Sequence, residues 1–226
     1  MAFRRSRPAR RRRLSAIGLA MVLIGFVVGC DTPPPGLPAF AARIDLIDGW
    51  VRGRMDGRSM HPGCPVGYDD LRYLTMSYVG FDGQAHLGEM VVHAAVAEDI
   101  VAVFRLLYNT SFPIRRMTLV DDFGGDDQAS MAADNTSAFN CRLSTGSMTT
   151  WSQHAYGWAV DLNPLENPYV SGGTVLPPAG APYLNRSAGA PGMIVEGDFA
   201  TFSFGAIGWE WGGRWSGVRD YQHFVK

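Results

Sequence analysis

The chain of 226 residues is 46% hydrophobic and 18% charged, a balance that excludes extended disorder over most of its length and suits one globular domain of modest size. Its formal net charge of −1 conceals an asymmetry, because seven of the nineteen arginines fall within residues 4 to 13. Without residues 1–29, which hold those seven and no acidic residue, the formal charge is −8, and so acidic a surface gives no support to nucleic-acid binding.

The arginine cluster is followed by an uncharged run of 14 residues, Ala16 to Gly29. That is too short to span a bilayer comfortably and fits the apolar region of an export signal. The sequence VVGC, ending at Cys30, resembles the lipobox of bacterial lipoproteins, where cleavage before the cysteine leaves it acylated. The resemblance implies a signal peptide over residues 1–29, lipidation at Cys30, and an exported envelope lipoprotein that is anchored to a membrane without crossing it. The rival reading is an uncleaved anchor helix, and the arginine pairs loosely suggest twin-arginine export. Residues 30–45, with DTPPPGLP, read as a proline-rich tether, and residues 46–226 as the folded domain, since apolar residues become regular only around Ile44 to Arg52.

With Cys30 assigned to lipid, Cys64 and Cys141 remain, and in an exported protein such a pair is expected to form a disulfide. The competing use, metal ligation with His61 in HPGC, offers an incomplete ligand set. Tyr73 to Val79 alternates as a strand, Phe81 to Gly83 supplies turn residues, and Glu89 to Val92 can return as the partner of a hairpin. Apolar positions 97, 100, 101, 104, 107 and 108 recur at helical spacing, and Glu98 and Asp99 suit the positive end of the dipole, which predicts a helix over Ala94 to Asn109. A strand is expected from Pro113 to Val120. The acidic loop Asp121 to Asp127 lacks EF-hand spacing and reads as a solvated connection, with calcium conceivable. A further strand, Thr136 to Arg142, is expected to pair with Trp158 to Leu162.

Two clusters carry chemistry. SQHAYGWAVDL (Ser152 to Leu162) and DYQHF (Asp220 to Phe224) offer two histidines and a carboxylate able to hold one zinc ion, with a second carboxylate alongside. Catalytic zinc typically takes three protein ligands and leaves a fourth position for water, so His154, Asp161 and His223 are the expected ligands. Asp220, three residues before His223, is the expected base for the attacking water, placed on a bend entering a short terminal strand. His61, His86 and His93 are read as ordinary surface or core histidines.

Ser-x-His-x-x-Gly-x-Ala-x-Asp followed by Asp-x-x-His-Phe resembles the zinc D-alanyl-D-alanine carboxypeptidase superfamily, which also includes L-alanyl-D-glutamate endopeptidases of phage lysins. The segment WEWGGRW (Trp209 to Trp215) is similar to the Trp-Gly-Gly-x-Trp stretch of the endopeptidase-like branch. The resemblance implies Zn2+ on His154, Asp161 and His223, Asp220 as general base, and peptidoglycan stem peptides as substrate. It also implies an α+β fold in which a small antiparallel sheet carries the zinc site and helices pack on it. Ser152 matches the motif and is assigned to substrate binding. Arg142 is assigned to the same task, since a guanidinium grips a carboxylate with two parallel hydrogen bonds; Arg115 and Arg116 are its rivals. Two cuts stay open, at the terminal D-alanine or between L-alanine and D-glutamate, as does an inactive zinc-holding scaffold. The proline- and glycine-rich stretch Asn163 to Glu196 is expected to border the cleft as a loop. One aromatic among Trp209, Trp211, Trp215 and Tyr221 is expected to line the cleft, the others to be core. The protein is expected to act as a monomer.

Overall fold

The structure, a computed structural model, describes residue 1 and residues 32–226. The export-signal reading of residues 1–29 and the lipidation of Cys30 therefore lie outside the described residues. No described helix is long and apolar enough to cross a membrane.

The chain is tied down before Ile44. The hydroxyl of Tyr108 donates to the Pro38 carbonyl at 2.8 Å, and the Phe40 ring lies 5.7 Å from the Tyr108 ring. Strand β1 (Ala42–Leu46) leads to helix α1 (Gly49–Met55), whose N-cap carboxylate, Asp48, accepts from Val51 N at 2.9 Å. β2 (Leu71–Val79) pairs antiparallel with β1 on one side and with β3 (Ala85–His93) on the other. The hairpin is longer than the alternation indicates, running unbroken from Leu71↔His93 to Val79↔Ala85. Helix α2 (Ala97–Asn109), entered through a 3-10 turn over Ala94–Val96, follows as expected.

This first sheet is covered on both faces. Leu74, Met76, Met90 and Val92 face α2 and meet Ile100, Phe104 and Leu107. Leu71 and Val91, of opposite parity, meet Ile47, Val51, Met55, Leu119 and Phe139. Burial of each such side chain contributes about 1.5–3 kcal/mol.

The middle of the chain differs from its sequence pattern. Of Pro113 to Val120, only Arg116–Met117 form a strand, β4, because its one partner is the two-residue parallel strand β5 (Asn135–Thr136). The acidic stretch between them is a connection with Asp122, Gly124 and Asp126 exposed, and it has structure of its own: a 3-10 turn over Val120–Phe123, then helix α3 (Asp127–Ala132). Each of its carboxylates has a protein partner. Asp121 accepts from Ser59 N and Oγ at 3.0 and 2.9 Å, Asp122 pairs with Arg54 at 2.9 Å, Asp126 caps α3, and Asp127 pairs with Arg142 at 3.0 Å. Residues 136–142 do not form the expected long strand. Ser137 alone bridges Asp161, while Phe139 N, Asn140 N and Cys141 N donate to the carbonyls of Val91, His154 and Ser59. The Cys64–Cys141 disulfide is present, with Cα atoms 5.8 Å apart.

Two small antiparallel sheets complete the α+β architecture. β6 (Ala159–Asp161) is followed by the stretch 163–196, which is not a bare loop: it holds the hairpin β7 (Tyr169–Ser171) and β8 (Thr174–Leu176) and 3-10 segments over Pro178–Leu184 and Arg186–Ala188. Helix α4 (Phe199–Ala206) then precedes β9 (Glu210–Trp211), β10 (Val218–Asp220) and β11 (His223–Val225). One sheet runs β6-β11-β9, the other β10-β7-β8. Val160 and Phe224, directly opposite one another, turn to the core, where Phe224 stacks on Phe204 of α4 at 4.0 Å. By strand alternation the neighbouring residues Asp161 and His223 turn to the other face.

Candidate metal centre

Asp161 and His223 are register partners across β6 and β11, so their side chains share one face at close range. His223 Nδ1 lies 2.9 Å from Asp161 Oδ1. His154 enters from a 3-10 turn, Gln153–Tyr156, that precedes β6. Its Nε2 lies 3.1 Å from Asp161 Oδ2 and 3.2 Å from His223 Nδ1. All three residues are buried.

The local sequence of the first motif has physical reasons. The Ser152 Oγ accepts from His154 N at 3.3 Å and caps the turn. Ser152 is itself buried, and its hydroxyl thus has a structural task in the ligand turn. Gly157 ends the turn with φ +72°, and a Cβ there would lie 2.5 Å from His93 N. That close approach lets His93 N donate to the Gly157 carbonyl at 3.0 Å, which fastens the ligand turn to β3. His154 Nδ1 lies 2.5 Å from the Ala138 carbonyl oxygen. A carbonyl only accepts, so Nδ1 carries a proton and Nε2, turned toward Asp161 and His223, is the atom that can ligate a metal.

The donor set fits zinc. Zinc–nitrogen bonds of about 2.0–2.1 Å in a tetrahedron put ligand atoms about 3.3 Å apart, close to the three separations seen here. Burial disfavours ionised Asp161, but the charges and hydrogen bonds of His154 and His223 outweigh it and hold this carboxyl far below the usual range. Burial likewise lowers the pKa of His223, and the hydrogen bond and charge of Asp161, with the charge of Asp220, reverse this and raise it.

Asp220 ends β10, Tyr221 and Gln222 bend, and His223 opens β11, close to the expected bend before a terminal strand. The two residues thus belong to different sheets, and β7, from the stretch read as a loop, holds Asp220 in place by pairing Tyr169 opposite it. Burial, and then the charge of Asp161, push the Asp220 carboxyl up to about 6 against the opposing charges of His223 and His154. Its Oδ1 is inaccessible and has no hydrogen-bond partner among the described residues. The glycines of WEWGGRW make the room: a Cβ on Gly212 would lie 2.7 Å from the Asp220 carbonyl oxygen, and one on Gly213 would strike the Trp211 ring. Among the four aromatics, Trp215 is the one beside the site, its ring 5.4 Å from that of His223. Trp209 and Trp211 are core.

The remaining assignments sort by place. The main chain of Arg142 adjoins the ligand turn, its carbonyl accepting from Ser152 N at 3.0 Å, and its guanidinium pairs with Asp127. Arg115 instead lies over the Phe81 ring beside Asp134 and Glu166, and Arg116 is exposed on β4. The sulfurs of Cys64 and Cys141 are joined to each other, so His61 has no thiolate partners for a metal. His86 pairs with Asp82, and His93 Nδ1 accepts from Ala95 N. The orienting carbonyl of Ala138 and the Asp127 partner of Arg142 escaped the sequence reading, for neither is marked by a motif.

A buried group of two histidines and one carboxylate that can hold a metal, with an acid of raised pKa beside it, defines a hydrolase-type centre. Residues 145–226 match the family model of D-alanyl-D-alanine carboxypeptidase. The match bears out the family resemblance of the two motifs and supports a peptidase-type function; it contains His154, Asp161, Asp220 and His223 and stops short of Arg142 and the disulfide. Comparisons with curated proteins and with solved structures gave no significant match.

Proposed function

We propose that this chain is a zinc-dependent peptidase that hydrolyses peptidoglycan stem peptides, as a D-alanyl-D-alanine carboxypeptidase or an L-alanyl-D-glutamate endopeptidase, from an exported position anchored through lipid at Cys30. The observation that carries the reading is the convergence of His154 Nε2, His223 Nδ1 and the Asp161 carboxylate within 3.2 Å of one another, in the stretch that matches the peptidase family. When held by His154, Asp161 and His223, zinc supplies a Lewis acid that polarises a carbonyl and acidifies water toward neutrality.

The chain's own residues do the rest. Asp220, whose Oδ1 accepts no hydrogen bond from the described residues, takes the proton of the attacking water and returns it to the leaving amine. A pKa near 6 suits both halves of that exchange, since the group gives and accepts a proton at modest cost near neutral pH. The Ala138 carbonyl keeps His154 in the ligating tautomer. Trp215 walls the site beside His223, its indole N–H fixed by Glu210 at 2.7 Å. Arg142, next to the ligand turn, holds a substrate carboxylate.

The test is mass analysis of fragments released from purified peptidoglycan by zinc-loaded protein lacking residues 1–30. New peptide termini are expected, and they identify the bond. Protein that carries zinc and releases no fragment overturns the peptidase reading in favour of a wall-binding scaffold.

A further inference from the structure

We infer that Asp127 is a positioning residue that holds the Arg142 guanidinium in the orientation which receives a substrate carboxylate. The inference rests on the proposed role of Arg142 and adds to it the residue that makes the role possible.

The main chain around Arg142 is fixed on both sides. Cys141 is bonded to Cys64 and donates its N–H to Ser59, and the Arg142 carbonyl accepts from Ser152. The side chain is a different matter. A free arginine carries about 2 kcal/mol of rotamer entropy, and a guanidinium that wanders presents no fork. Here Nη2 lies 3.0 Å from Asp127 Oδ2, Nη1 donates to the Leu143 carbonyl at 3.3 Å, and both charged side chains are only 23% exposed. Those two contacts leave further N–H groups of the guanidinium uncommitted.

Asp127 is equally well placed to act as a post. It is the first residue of α3, whose N-cap Asp126 accepts from Gln128 N and Ala129 N at 2.8 and 3.1 Å. The loop before it is tied to the segment that carries Arg142, because Asn140 Nδ2 donates to the Gly125 carbonyl at 3.3 Å. Asp121, Asp122 and Asp126 are all engaged elsewhere, so Asp127 is the one acid of this loop turned to the arginine. An arginine immobilised before the ligand arrives loses less freedom on binding, and its planar fork can match a carboxylate.

The experiment measures calorimetric binding of a stem peptide with a free C-terminal carboxylate and of its C-terminal amide. The host is zinc-loaded protein carrying Asp220→Asn, which slows consumption of the peptide about a hundredfold or more. The carboxylate form is expected to bind about tenfold or more tightly than the amide. Asp127→Asn should cut that ratio at least fivefold with zinc content unchanged, and Asp127→Glu should recover part of it. A general structural defect would weaken both peptides alike. If Arg142→Ala collapses the ratio while Asp127→Asn leaves it intact or raises it, the positioning role is overturned and the Arg142 reading stands. If Arg142→Ala leaves the ratio intact, or the host shows none, the Arg142 reading falls and this inference with it.

Discussion

Asp161 and His223 face one another across an antiparallel pair of strands, with Oδ1 and Nδ1 2.9 Å apart, so the metal centre is written into strand register. A slip of one residue in β11 would turn His223 into the core, bring Phe224 out, and leave Asp161 without its partner ligand. The terminal strand is therefore part of the site. A chain ending at Tyr221 lacks His223 and should hold zinc at least a hundredfold more weakly, as should Asp161→Ala and His154→Ala. Zinc content after dialysis against a weak chelator measures this, and full retention by the truncated chain would remove His223 from the ligand set.

Asp220 is predicted to separate chemistry from metal binding. Asp220→Asn keeps the size and neutral hydrogen bonding of the protonated acid, so zinc should stay while the rate falls about a hundredfold or more. For the unaltered protein, a base must be ionised to work. Its pKa, raised to about 6, places the acid limb of kcat/KM there, with activity rising as pH climbs through that point. A bound cation favours the carboxylate and moves the limb down, never up. A limb well above 6 that survives Asp220→Asn would assign it to another group.

What the sequence made legible was local. The ligand turn and the terminal strand each fit within about ten residues, and their spacing encodes both the motif and the geometry it produces. Helix α2 was readable because six apolar positions repeat at the helical period, and the disulfide because two cysteines remained once Cys30 was set aside. The misses all depend on long-range partners. Pro113 to Val120 looks like a strand, but only Arg116 and Met117 pair as one, and Pro113 makes a lone bridge to Val79. The proline and glycine content of residues 163–196 hides β7 and β8, three residues each, although β7 braces Asp220. The motif does not reveal that the Ser152 oxygen also caps the ligand turn.

Gly157 should be the costliest glycine of the site to replace. Gly157→Ala meets two penalties: a left-handed φ of +72°, and a Cβ 2.5 Å from the His93 nitrogen. Backbone strain alone is about 1 kcal/mol, and separation of the ligand turn from β3 should bring the total to at least about 2–3 kcal/mol. That corresponds to a fall in Tm of about 4–12 °C for a domain of this size. Gly146→Ala is the control, for its φ is +79° yet nothing lies within 4 Å of the added carbon. Equal losses for the two variants in thermal melts would show that packing against His93 contributes nothing.

The stretch that braces Asp220 is itself held by a buried acid pair, and this predicts an alkaline weakness. Glu166 and Asp134 have side chains only 3% and 2% exposed, with Arg115 at 3.9 and 3.6 Å, and one oxygen of each lacks a hydrogen-bond partner. Burial, then the adjacent Asp134 carboxylate, push Glu166 up to about 8 against the opposing charge of Arg115. The ordinary value is 4.5, so between about 4.5 and 8 the folded chain holds a proton that the unfolded chain has released. Stability linked to this group is present at the acid end of that window and is lost as pH rises through it. From pH 6 to pH 8 the loss should be on the order of 1–2 kcal/mol. Glu166→Gln keeps a neutral side chain of the same length and cannot titrate, so its denaturant midpoint should fall less steeply over this range than that of the parent chain. Parallel profiles for the two proteins would mean that Glu166 is ionised in the folded state and that Arg115 alone balances the pair.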